Sequence, residues 1–120
     1  MLNCFFVGIG GFVGAVSRYL FTMLPIGRLG TFPIHTLLIN MIGSFCIGLL
    51  AALAAKTSMP PRMMLLLKTG ICGGFTTFST FALETTELFQ DGKPGFAILY
   101  MVLSLCLSVG AVWLAEMGLH

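Results

Sequence analysis

The sequence predicts an all-α membrane protein of four transmembrane helices, the third broken in mid-membrane. Three observations carry this. First, 58% of the 120 residues are hydrophobic and only 8% are charged, where a soluble domain carries roughly a quarter. Second, the apolar residues fall into four runs, each long enough for the ~20 residues of a span. Third, the third run contains Gly70-Ile71-Cys72-Gly73-Gly74-Phe75-Thr76-Thr77-Phe78-Ser79-Thr80-Phe81. Two glycines followed by two threonines make a helix easy to break. Broken backbone at membrane depth is tolerated only where protein or a water-filled path surrounds it. This run therefore reads as a transport or ion-binding site.

The first span is predicted over 3–24, ending at Pro25, with a loop holding Arg28, Gly27 and Gly30. The second covers 33–55 without a charge and ends in a polar turn with Pro60 and Pro61. The third runs over 62–88, through the broken motif, to a turn at Asp91-Gly92. The fourth covers 94–115, uncharged until Glu116. Residues 1–120 thus make one transmembrane domain, with nothing left over for a soluble one. The N-terminus has no basic leader and does not read as a cleaved signal peptide.

A net charge of +2 is too small to suggest nucleic acid. Cys4, Cys46, Cys72 and Cys106 stand at no metal or redox spacing and read as small buried hydrophobes. His35 and His120 read as interfacial or solvated groups. No nucleophile, base and stabiliser sit together, so an enzyme is not expected.

Four spans put both termini on one side. That side gains Lys56 and Arg62, with Lys68 further in, against Arg28 and Lys93 on the other. So small a bias orients a chain weakly. Either it still suffices, or the chain inserts both ways and pairs with an inverted copy. Four thin helices can hardly enclose a hydrophilic path alone. Small-residue pairs (Gly10 with Gly14, Ser44 with Gly48, Gly70 with Gly74, Ser104 with Ser108) let helices approach, and a homo-oligomer is the economical reading.

Several residues are costly to bury in lipid. Arg18 either snorkels beside Tyr19 and Thr22 or forms an electropositive vestibule that concentrates anions. Asn40, in the uncharged second span, makes either an interhelical hydrogen bond or a pore-lining donor. Tyr100, Ser104 and Ser108 recur every four residues on one helix face. A lone serine would bond to its own helix, but three in register favour a polar track. Glu84 and Glu87 are either solvated or face a pathway mouth. Phe75, Phe78 and Phe81 would ordinarily be packing. Beside Thr77, Ser79 and Thr80 and a break, their positive ring edges suit a small anion, whereas a cation would prefer the faces.

These strings resemble the fluoride ion channels, the Fluc or CrcB family. The carriers are Gly11-Phe12-Val13-Gly14-Ala15-Val16-Ser17-Arg18-Tyr19, Asn40-Met41-Ile42-Gly43-Ser44-Phe45, and Gly70 to Phe81. The likeness covers nearly the whole chain, with Phe75 where the family often has leucine. The resemblance implies an antiparallel, dual-topology homodimer with two fluoride pores in the bacterial inner membrane. It implies passive export of fluoride that is trapped in the cytoplasm after entering as hydrogen fluoride. Phe78 and Phe81 would line the pore with Asn40. Ser79, Thr80, Tyr100, Ser104 and Ser108 would continue the polar track. Arg18 would sit near the vestibule and Glu84 near a pore exit. The break would bind a structural sodium ion at the dimer centre through the carbonyls of Gly73 and Thr76. The physics suits this: a hard cation takes carbonyl oxygens, and amide and hydroxyl donors can replace the water around fluoride without permanent charge.

The rival reading is a small proton-coupled multidrug exporter of four helices. Such a pump needs a carboxylate in the membrane, and the first three spans carry none before Glu84. A non-transporting assembly subunit would leave Asn40 and the polar stripe with nothing but packing to do.

Overall fold

The computed structural model describes residues 1–26 and 32–118. Arg28 and the turn glycines Gly27 and Gly30 lie outside the described residues, as does His120. Among the described residues every regular element is helical. The helices α1 (Leu2–Thr22), α2 (Ile34–Lys56) and α6 (Pro94–Gly118) are long and uninterrupted. Their most apolar stretches have mean hydropathies of 1.6, 2.2 and 2.2, and at ~1.5 Å per residue each reaches across a hydrocarbon core of ~30 Å.

Between α2 and α6 the chain is helical in pieces. These are α3 (Pro61–Met64), a π-helical segment (Leu65–Cys72), α4 (Gly73–Phe75) and α5 (Phe78–Gln90). Pro61 opens α3 and Pro94 opens α6, positions where a missing N–H leaves nothing unsatisfied. At the end of α5, Lys93 N donates to the Leu88 carbonyl at 2.9 Å and Gly92 N to the Phe89 carbonyl at 3.2 Å. This closure needs a residue at positive φ, which Gly92 supplies at φ +74°.

The chain leaves helical geometry at Thr76 (φ −83°, ψ 157°) and Thr77 (φ −150°, ψ 117°). The glycine pair expected to break the helix is itself helical: Gly73 has φ −63° and ψ −37°. Gly74 and other glycines serve close approach instead. A Cβ on Gly10 would collide with the Leu66 carbonyl, and one on Gly14 with the Ile71 carbonyl. One on Gly74 would lie 2.7 Å from the Gly11 carbonyl. So α1 lies directly on the π-helical segment and α4, backbone to backbone. The small pairs that suggested contact between copies are therefore largely used inside one chain. Gly48 likewise receives Val112 and Ala115, seating α2 on α6.

The buried cluster is small, made of Leu37, Leu88, Ala97 and Tyr100, with Phe32, Phe81 and Leu103 packed around it. Large apolar side chains elsewhere are bare, including Phe12 at 70%, Leu105 at 63% and Trp113 at 71% exposed. So much uncovered apolar helix suits lipid or a partner and not water. The same holds for the cysteines. Only Cys72 is buried, while Cys4, Cys46 and Cys106 are exposed, because a thiol facing acyl chains needs no protein cover. The molecule measures 49 × 32 × 23 Å, its long axis close to the ~40–45 Å of a whole bilayer.

Candidate ion pathway and helix break

The break is held from two sides. On one, Asn40 of α2 grips Thr77: Thr77 N donates to Asn40 Oδ1 at 2.8 Å, and Asn40 Nδ2 donates to the Thr77 carbonyl at 3.1 Å. On the other, Arg18 Nε of α1 donates to the Gly74 carbonyl at 3.1 Å. A cation here is favoured because carbonyls at a helix C-terminal end carry partial negative charge. Arg18 thus meets a carbonyl, and Asn40 an N–H, that the interruption leaves without a helical partner. Asn40 makes the interhelical bonds of its first reading and also lines the adjoining groove.

Local chemistry completes the break. Thr76 N and Oγ1 both donate to the Cys72 carbonyl at 3.0 Å, closing the helix that ends there. The Thr76 methyl fills the notch above Gly43, where a Cβ would collide with it. Thr77 caps α5: its Oγ1 accepts from Thr80 N at 3.2 Å and bonds to the Thr80 hydroxyl at 3.0 Å. Ser79 lies 3.5 Å from the same oxygen.

Beside the break runs a groove of about 300 Å³, open on one side, between α2, α6 and the interrupted segment. Its lining is mostly apolar, with Ile47, Leu105, Val109, Phe78 and Phe81, but Asn40, Ser44, Thr76, Thr77, Ser104 and Ser108 bring polar groups to it. The two rings lie 5.6 Å apart, tilted by 47°. Phe81 is half-buried, whereas Phe78 is 78% exposed. Phe75 turns away to pack edge-on against Phe21 at 6.3 Å.

Other expected residues stand outside the groove. Tyr100 is fully buried and donates to Glu84 Oε1 at 2.9 Å. Its ring lies 5.1 Å from that of Phe81, so Phe81 links the groove to this second cluster. Thr36, 4% exposed, lies beside both Glu84 and Tyr100. Sequence reasoning missed Thr36, although it lies four residues before Asn40 on α2, a spacing that stacks two side chains on one helix face. Ser79 and Thr80 are occupied with the α5 cap, and Arg18 reaches the break from the α1 side. Ser104 and Ser108 share the groove, and Tyr100, one turn before them, lies in the Glu84 cluster. His35 Nε2 meets the Leu24 carbonyl at 2.9 Å, beyond the end of α1.

Long apolar helices and bare apolar flanks mark a multi-pass membrane protein, with a groove beside interrupted backbone. The chain belongs to the CrcB-like proteins (camphor resistance, CrcB), whose pattern matches residues 5–116. It is 51% identical to a protein of Ruminiclostridium cellulolyticum named fluoride-specific ion channel FluC, over 98% of this chain and 92% of that one. It is 48% identical to a FluC protein of Chlorobaculum tepidum, over 88% of this chain and 84% of that one. A FluC protein of Shewanella woodyi shares 42%, over 97% and 94% of the two chains.

Proposed function

We propose that this chain is a fluoride-selective channel that lets the ion leave the cell passively, lowering cytoplasmic fluoride. The observation that carries this reading is the groove. Its lining includes hydroxyl and amide donors and a pair of aromatic rings, and among the described residues no carboxylate lines it. Fluoride holds its water tightly, so an entering ion needs a close donor for each water it sheds. Ser104 and Ser108 supply hydroxyls. Asn40 keeps one amide hydrogen beyond the one given to Thr77. Phe78 and Phe81 supply ring edges, whose partial positive charge attracts an anion weakly enough to let it go. The lack of a groove carboxylate disfavours a proton-coupled exporter, which would need one.

The interrupted segment, Pro61 through Gln90, acts as the third of four spans, with the break inside the membrane. The working unit is an antiparallel homodimer in the bacterial inner membrane. The open side of the groove and the bare ring of Phe78 support this, because a single chain leaves the pathway with one wall missing. A Cβ on Gly73 would meet only the Lys68 carbonyl, at 3.8 Å, so the glycine leaves room for something beyond its own chain.

The break also suits a structural sodium ion held by the carbonyls of Gly73 and Thr76 from both copies. Thr77 N and Thr80 N, their helical donors, are bonded elsewhere, and neutral oxygens are the donor set a hard cation prefers. When bound, the ion would supply a fixed positive charge near the two pathways. Arg18 would add to that field near the entrance, and the Glu84–Tyr100–Thr36 cluster would mark an exit.

The test is fluoride efflux from liposomes holding the purified protein, followed with a fluoride electrode after adding a potassium ionophore. Rapid release of fluoride with retention of chloride is expected. Release that ignores fluoride but follows a proton gradient would overturn the reading in favour of an exporter.

A further inference from the structure

In an unbroken helix Thr77 N would bond to the Gly73 carbonyl, and Thr80 N to the Thr76 carbonyl. Both donors are diverted, Thr77 N to Asn40 Oδ1 at 2.8 Å and Thr80 N to Thr77 Oγ1 at 3.2 Å. Three neighbouring carbonyls are engaged. Cys72 accepts from Thr76, Gly74 from Arg18, and Thr77 from Asn40. The diversion therefore releases the Gly73 and Thr76 carbonyls, and Gly73 stands on an exposed face.

We propose that Asn40 is a positioning residue for cation binding: its carboxamide draws Thr77 N–H off Gly73 and thereby presents the Gly73 and Thr76 carbonyls to a shared ion. The proposal rests on the cation reading given above. The residue type follows from the geometry. A carboxamide donates and accepts at once, so it engages both the N–H and the carbonyl of one residue and fixes the peptide planes on either side of it. A carboxylate lacks the donor, and a serine hydroxyl is too short to span both atoms. Gly43, on the same helix as Asn40, seats the Thr76 methyl, so α2 holds both extended residues. Second-sphere groups of this kind orient the ligands of a metal, and losing one typically weakens binding about 10–100-fold.

The experiment uses the purified dimer in fluoride-free buffer. The melting temperature is titrated with sodium at constant ionic strength, with potassium and caesium as comparators. Sodium-specific protection is expected for the unsubstituted protein. In Asn40→Leu and Asn40→Ser the sodium concentration giving half protection should rise about 10–100-fold. Ser104→Ala, which alters the groove without touching the break, should leave it unchanged. Unchanged midpoints in both Asn40 variants would overturn the positioning role while leaving the cation site standing. Absence of sodium-specific protection in the unsubstituted protein would remove the cation site and the proposal with it. If neither variant folds, hydrogen exchange at the Thr77 amide decides: sodium should slow it in the unsubstituted protein, and an unchanged rate would overturn the proposal.

Discussion

Asn40 sits in an otherwise apolar helix because the break leaves Thr77 N without a helical acceptor, and a membrane offers none. Its Oδ1 and Nδ2 answer the N–H and carbonyl of Thr77, and its remaining amide hydrogen lines the groove beside Ser104 and Ser108. Asn40→Asp should therefore abolish fluoride flux, both because the carboxylate cannot donate to the Thr77 carbonyl and because it places negative charge on an anion's route. Flux in reconstituted liposomes checks this, and substantial residual flux would take Asn40 off the pathway. Ser104→Ala removes one donor to a charged ion, a contact of ~1.5–3 kcal/mol. If that loss falls on the barrier, flux should drop about 10–100-fold. An unaltered rate would assign Ser104 to packing.

At the scale of elements, the apolar runs were legible in the sequence because hydropathy is a local property. The interruption was legible in place but not in cause. Glycine's flexibility pointed to Gly73 and Gly74, yet the extended residues are Thr76 and Thr77, fixed by a side chain on another helix. No local pattern announces a partner so distant in the chain. Gly74 answers to α1, another long-range fact. Gly14→Ala would drive a Cβ into the Ile71 carbonyl and within 2.8 Å of Phe75 N, and overpacking of this kind costs about 1–3 kcal/mol. Gly8→Ala, with nothing within 4 Å, should be neutral. Thermal unfolding of the two variants in detergent separates these outcomes, and equal stability would refute the close approach of α1. Thr77→Ala removes the α5 cap and should lower stability by ~1 kcal/mol in the same assay.

At the scale of the whole molecule, one chain supplies a groove open on one side. The polar stripe of α6 was readable from its four-residue spacing, but its division was not. Ser104 and Ser108 meet the groove, whereas Tyr100 turns to Glu84 because α5 packs there. The missing wall is what an inverted copy would provide. Impermeant labelling of a tag on either terminus in intact cells should reach about half the molecules, as two opposed orientations require. Complete labelling, or none, would exclude an antiparallel pair. Gly73→Ala is tolerated within a single chain, so a loss of dimer in that variant, read by size-exclusion chromatography, would place Gly73 against its partner.

The most direct measurement is fluoride efflux by Phe81→Ile beside the unsubstituted protein, with the dimer of each verified first. Phe81 joins the groove to the Tyr100 cluster, so an aliphatic side chain there removes the ring edge while keeping the bulk. Efflux should cease while the dimer remains intact. Efflux at the original rate from an intact dimer would contradict a pathway running along this groove.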